Sequence, residues 1–306
     1  MGAAVVGLVP WIVTGMRLPL QNLWATGTTE ASDMPIALLP FSQYAVSLIA
    51  AVVLVGGTIA GIAVRALRPR LGRPGTVAAF VGLAALQLVA LVETATVTAA
   101  GLRMDRFVGT GAGLSASQVY LAALVVGTLG AIALAVVLGV LVARAPQAVA
   151  VVALAVSAVA LGSWTDALVL PPVRSGGEAT AVLLSITRWV PAVALGVAIA
   201  WTRLRTIGQG IAAVLGLAVL WVGTALVTAA TSAFGARVYL PYPLEMASFG
   251  AQVFVSAMGP AGTGFGLVVV ALVVGIVGAV ALRWRATRVR PAATTGGGTS
   301  AASSEG

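Results

Sequence analysis

Three charged side chains, Arg188, Glu93 and Asp166, fall inside long apolar runs of this 306-residue chain. Arg188 lies in Leu183-Leu-Ser-Ile-Thr-Arg-Trp-Val-Pro191, three residues before a proline. An arginine at the centre of a bilayer costs about 2.5–3.5 kcal/mol on insertion scales, so it normally has a partner or a wet cavity. Its guanidinium is a planar fork of five donors that matches a carboxylate or a phosphate bidentately. The chemistry within reach is therefore an internal ion pair or capture of an anionic group. Counted along helices, Arg188 lies roughly 12 Å inside its run if the run starts near Thr180, Glu93 is at similar depth, and Asp166 is nearer the surface. The expectation is a cluster of Arg188 with Glu93 and Asp166, fringed by Thr187 and Gln87. It would contact a ligand, or only fix helix packing; in a third reading Arg188 snorkels to the headgroups with no cluster at all.

Other chemistries are thinly supplied. There is no Cys, so thiolate catalysis, disulfides and cysteine metal sites are absent. There is no His, which removes the usual general base and the commonest metal ligand. All seventeen basic residues are Arg. No metal or cofactor is expected, and Gly109-Thr-Gly-Ala-Gly113 follows no strand, so it reads as a loop rather than a phosphate cradle.

The surrounding elements are those of a membrane protein. Apolar residues make up 60% of the chain and charged residues 8%, against about 25% charged in soluble domains; mean hydropathy is +1.08. The fold class expected is an all-α polytopic bundle. Runs of about 20 apolar residues mark spans, and eight are read: 2–16, 44–64, 76–101, 119–143, 147–170, 180–202, 210–234 and 264–282. The first is short, contains Pro10 and resembles the apolar part of a signal peptide, without an evident cleavage site. Residues 1–282 form the transmembrane domain, and 283–306 form a tail that begins basic and dissolves into Gly, Ser, Thr and Ala, a disordered composition. The links after the even-numbered spans hold eleven arginines and no acid before Glu305. That bias places them, and both termini, in the cytoplasm, and a bacterial plasma membrane is expected. The net charge of +9 is thereby assigned to the lipid surface rather than to nucleic acid.

The opposite links carry Glu30 and Asp33 (residues 17–43), Arg103, Asp105 and Arg106 (residues 103–118), and Glu245 in a short helix expected between Pro243 and Gly259. That helix puts Glu245, Ser248, Gln252 and Ser256 on one stripe. It would lie flat at the interface or dip inward. Polar residues of the third, fifth, sixth and seventh spans crowd into their outer halves.

Three functions fit. A transporter-like or lipid-binding protein would use a polar site in the outer half for a lipid or small molecule from outside. A scaffold would partner another membrane protein. A membrane-embedded transferase acting on a polyprenyl-linked lipid would use Glu30 and Asp33 as base or metal ligands, by analogy alone. The orientation makes a direct prediction: reporter fusions after Arg73 and Arg205 report the cytoplasm, and an exterior signal at either position reverses the array.

Overall fold

The computed structural model describes residues 2–19, 31–102, 116–169, 177–239, 242–259 and 262–288. Among them there are ten α-helices and no strand: α1 (Gly2–Val13), α2 (Val46–Ala66), α3 (Arg68–Gly101), α4 (Ala116–Arg144), α5 (Gln147–Val169), α6 (Glu178–Thr187), α7 (Val190–Thr202), α8 (Ile207–Gly235), α9 (Pro243–Met258) and α10 (Thr263–Arg288). Seven helical segments are long and apolar enough to cross a membrane, α6 and α7 together forming one of them. The run at 2–16, expected as an eighth span, is a 12-residue helix about 18 Å long, short against a hydrocarbon core of about 30 Å. α10 continues six residues past the expected end of its span, so the start of the basic tail is helical.

Short α1 is held by its neighbours. The Trp11 indole, 2% exposed, donates to the Ala37 carbonyl at 2.8 Å. The Trp164 indole donates to the Gly7 carbonyl at 2.8 Å. Gly7 lies against the backbone of Val52 and Gly56, where any Cβ would collide.

The arginines draw the ends of the bundle together by covering helix carbonyls. Arg65 donates to Val142 and Ala145 at the close of α4, and Arg144 donates to Gly72 at 3.2 Å. Gly72 has φ of 58°, a conformation open to glycine, and it breaks α3 ahead of Pro74. Arg203 and Leu204, between α7 and α8, also have positive φ. Arg283 bonds both of their carbonyls, which stabilises a strained link. These contacts place the links at Arg65–Arg73, Arg144 and Arg203–Arg205 with the end of α10 at one arginine-rich end.

Two apolar cores share α5. One joins α1–α5 with the segment 34–41; the other joins α5, α7, α8 and α10. Small residues allow the closest approaches, as helix packing in lipid favours. A Cβ on Gly57 would lie 2.6 Å from the Ala135 carbonyl oxygen of α4, and one on Gly61 2.5 Å from that of Gly139. Gly196, Gly275 and Gly278 do the same between α7 and α10, which run side by side in parallel. Replacing Gly61 with Val should therefore separate α2 from α4 and lower stability by about 1–3 kcal/mol, the usual cost of overpacking. A thermal unfolding midpoint in detergent, compared with that of Gly82→Val, a glycine with open space around it, measures this.

Candidate functional site

The structure parts the expected cluster. Glu93 sits on α3, which packs on α1, α2 and α4 but not on α6 or α7. Its carboxylate accepts the Leu38 backbone N–H at 2.9 Å and the Thr94 hydroxyl at 3.1 Å. Thr94, fully buried, accepts the Leu39 N–H at 2.9 Å. Residues 34–41 are non-helical and enter the bundle, with Met34, Ala37, Leu39 and Phe41 buried. In apolar surroundings a free backbone N–H costs several kcal/mol, so Glu93 and Thr94 serve as acceptors for this segment. Gln87, on the same helix, donates to the Val53 carbonyl at 3.0 Å. Neither side chain reaches Arg188.

Arg188 and Asp166 do meet around one space. α6 ends at Thr187 and α7 starts at Val190, so the helix breaks at the arginine itself. Pro191 has no N–H to give the Thr187 carbonyl, and its ring opposes a continuous helix there. The break lets Arg188 fold back over the ring of Trp189, 4.4 Å from its centroid, a stabilising cation–π arrangement. Among the described residues Arg188 makes no ion pair. Asp166 of α5 lies across the gap and accepts from Thr187 at 3.4 Å.

These groups border a crevice of about 470 Å³. Thr224 and Thr228 of α8 and Gly262 and Gly266 at the start of α10 complete its rim. Its apolar lining is Val159, Pro191, Val227 and Leu267, and Leu267 belongs to the second apolar core together with Ala192, Leu195, Leu220 and Ala271. Among the described residues two helices near it are loosely held. α6 rests on α5 and buries no residue. α9 rests mainly on α8 and buries none, and α6 and α9 do not pack together. No family model, curated protein or solved structure matches this chain.

The remaining candidates lie elsewhere. Asp33 is exposed in a short 3-10 turn, with Ser32 donating to it at 3.4 Å. Glu245 is exposed on α9, whose span agrees with the helix expected at 243–259 and whose Gly250 packs on Ala233 rather than lying free. Glu30, Arg103, Asp105 and Arg106 are outside the described residues. Among the described residues no three acidic, His or Cys side chains gather as a metal set. Trp189 was missed as a partner, although its place beside Arg188 was the signal. Thr94 belongs to the polar outer half of the third span, and composition did not single it out.

The two acids should behave differently on substitution. Glu93→Ala leaves the Leu38 N–H without its acceptor and should lower stability by about 1–3 kcal/mol, with Glu93→Gln recovering most of the loss. Arg188→Gln should leave the unfolding midpoint within about 1 °C of the parent, because removing an unpaired, exposed group has little effect on folding. Thermal unfolding of the three variants side by side tests both statements.

Proposed function

We propose that this protein binds an amphiphile with an anionic head, such as a phosphate-bearing lipid, taken into the crevice bordered by α5, the break between α6 and α7, α8 and the start of α10. The observation that carries the reading is Arg188: a guanidinium at a helix break, facing an open crevice and without a carboxylate partner among the described residues. A phosphate supplies the bidentate partner that the fork lacks. Trp189 holds the guanidinium from one side, so less entropy is lost when an anion arrives. Asp166 would repel a second negative group but can accept from a hydroxyl, and Thr224 and Thr228 on the opposite wall, whose hydroxyls donate to their own helix, can act only as acceptors. The site thus favours a head with one anion and neighbouring hydroxyls. With the arginine-rich links on the cytoplasmic side, the crevice belongs to the outer leaflet.

The apolar lining favours binding over transport. A carrier site is reached from both sides and usually lies near the midplane. Here the crevice meets the apolar core of Ala192, Leu195, Leu220 and Ala271 through Leu267, and among the described residues that core contains no polar side chain. The transferase alternative rests on Glu30 and Asp33. Asp33 is exposed and is not among the crevice residues.

The test uses purified protein in nanodiscs and a soluble probe, dihexanoyl phosphatidylglycerol, followed by calorimetry. Binding should weaken about tenfold or more in Arg188→Gln, the scale of a hydrogen bond to a charged group, and recover partly in Arg188→Lys. Equal affinity in parent and Arg188→Gln would overturn the assignment.

A further inference from the structure

A second groove lies at the other end of the bundle. α5 packs against both α2 and α7, whereas α2 and α7 do not close on one another. The result is a slot floored by α5, with a volume of about 580 Å³, within the range of small-ligand cavities. Its walls include Val55 and Ile62 of α2, Leu161 of α5, and Ala194 and Val197 of α7. The two hydroxyls along it, Thr58 and Ser157, are bonded to each other at 2.6 Å and to carbonyls of their own helices. Between Arg65 and Trp164 these hydroxyls are therefore already partnered, which suits a hydrocarbon chain and not a polar solute. Trp164 bounds the slot, its indole N–H spent on Gly7.

Arg65 and Trp201 stand at the arginine-rich mouth of the slot. The Arg65 guanidinium lies 4.7 Å from the Trp201 ring centroid. One of its terminal nitrogens, Nη1, serves the carbonyls of Val142 and Ala145. Its Nε and Nη2 have no partner among the described residues. Arg68, Arg70, Arg203 and Arg205 lie in the adjoining links, with no acidic residue in either link. An anionic group is thus complementary to the mouth and an acyl chain to the slot.

We propose that this slot is a specific site for an anionic phospholipid of the leaflet at the arginine-rich end, its acyl chain between α2 and α7 and its phosphate on the free edge of Arg65. The site is separate from the Arg188 crevice and does not depend on it. The source of the anion is a lipid and not free phosphate, because the slot behind Arg65 is apolar apart from the two mutually bonded hydroxyls of Thr58 and Ser157.

The experiment is native mass spectrometry of the full chain released from nanodiscs containing equal phosphatidylglycerol and phosphatidylcholine. The parent should retain one phosphatidylglycerol in preference to phosphatidylcholine by about fivefold, the effect of one basic residue at an anionic surface. Arg65→Gln, which keeps a donor for the α4 carbonyls, should retain lipid without preference. Val197→Trp and Ala194→Phe should lose the adduct by filling the slot; Val197 is 58% exposed, so its replacement does not disturb the core. Arg188→Gln should leave the adduct unchanged, which separates this site from the crevice. Retention of the preference in both filled variants, or in Arg65→Gln, would overturn the proposal. So would retention of free inorganic phosphate in place of lipid, or self-association of the parent that both filled variants abolish, since the slot would then hold a second copy of the chain.

Discussion

The arrangement depends on one constraint: backbone N–H and C=O groups must find partners within the protein wherever water is excluded. Residues 34–41 are the sharpest case. They enter the bundle without helical hydrogen bonds of their own. Met16, Trp11, Glu93 and Thr94 take up their polar groups: the Ala37 N–H goes to the Met16 carbonyl, the Ala37 carbonyl to Trp11, and the N–H groups of Leu38 and Leu39 to Glu93 and Thr94. The arginine-rich end solves the complementary problem. Carbonyls left over at helix ends are covered by Arg65, Arg144 and Arg283. Glu93 thus serves an N–H group of the inserted segment, and three arginines serve carbonyls at the other end, so these charges are part of the framework. Arg188 stands outside this pattern because the described structure gives it an aromatic face and no acceptor.

The helices were legible because their signal is local. An apolar run of 20 residues announces itself, and α2, α4, α5 and α8 appear within a few residues of the limits read from composition. The close contacts of Gly57, Gly61, Gly275 and Gly278 were legible for the same reason, since small-residue spacing on one helix face is a local pattern. Pro191 pointed to the break in the sixth run, though not to its position at the arginine.

The partner of Glu93 was not legible. Depth along a helix can be counted from sequence, but rotation about the bundle axis cannot. Glu93 and Arg188 share a depth and belong to different faces of the assembly. Nor does composition reveal that residues 34–41, with Pro35 and Pro40, turn inward rather than run along a surface. Asp166 and Arg188 were brought to one crevice because α5 and α6 follow one another closely and must pack as neighbours, which sequence order alone makes the default.

The two indole bonds of α1 carry a consequence for how the chain is assembled. Trp164 donates to Gly7 across a sequence separation of 157, and the bed for Gly7 at Val52 and Gly56 is itself some 45 residues downstream. At the usual pace of translation, about 5–20 residues per second, α1 waits roughly 8 seconds or more before its last partner exists. In that interval a 12-residue helix is too short to stay across a bilayer by itself. Its bed on α2 is complete well before the Trp164 bond from α5 can form, so α1 is seated in two steps.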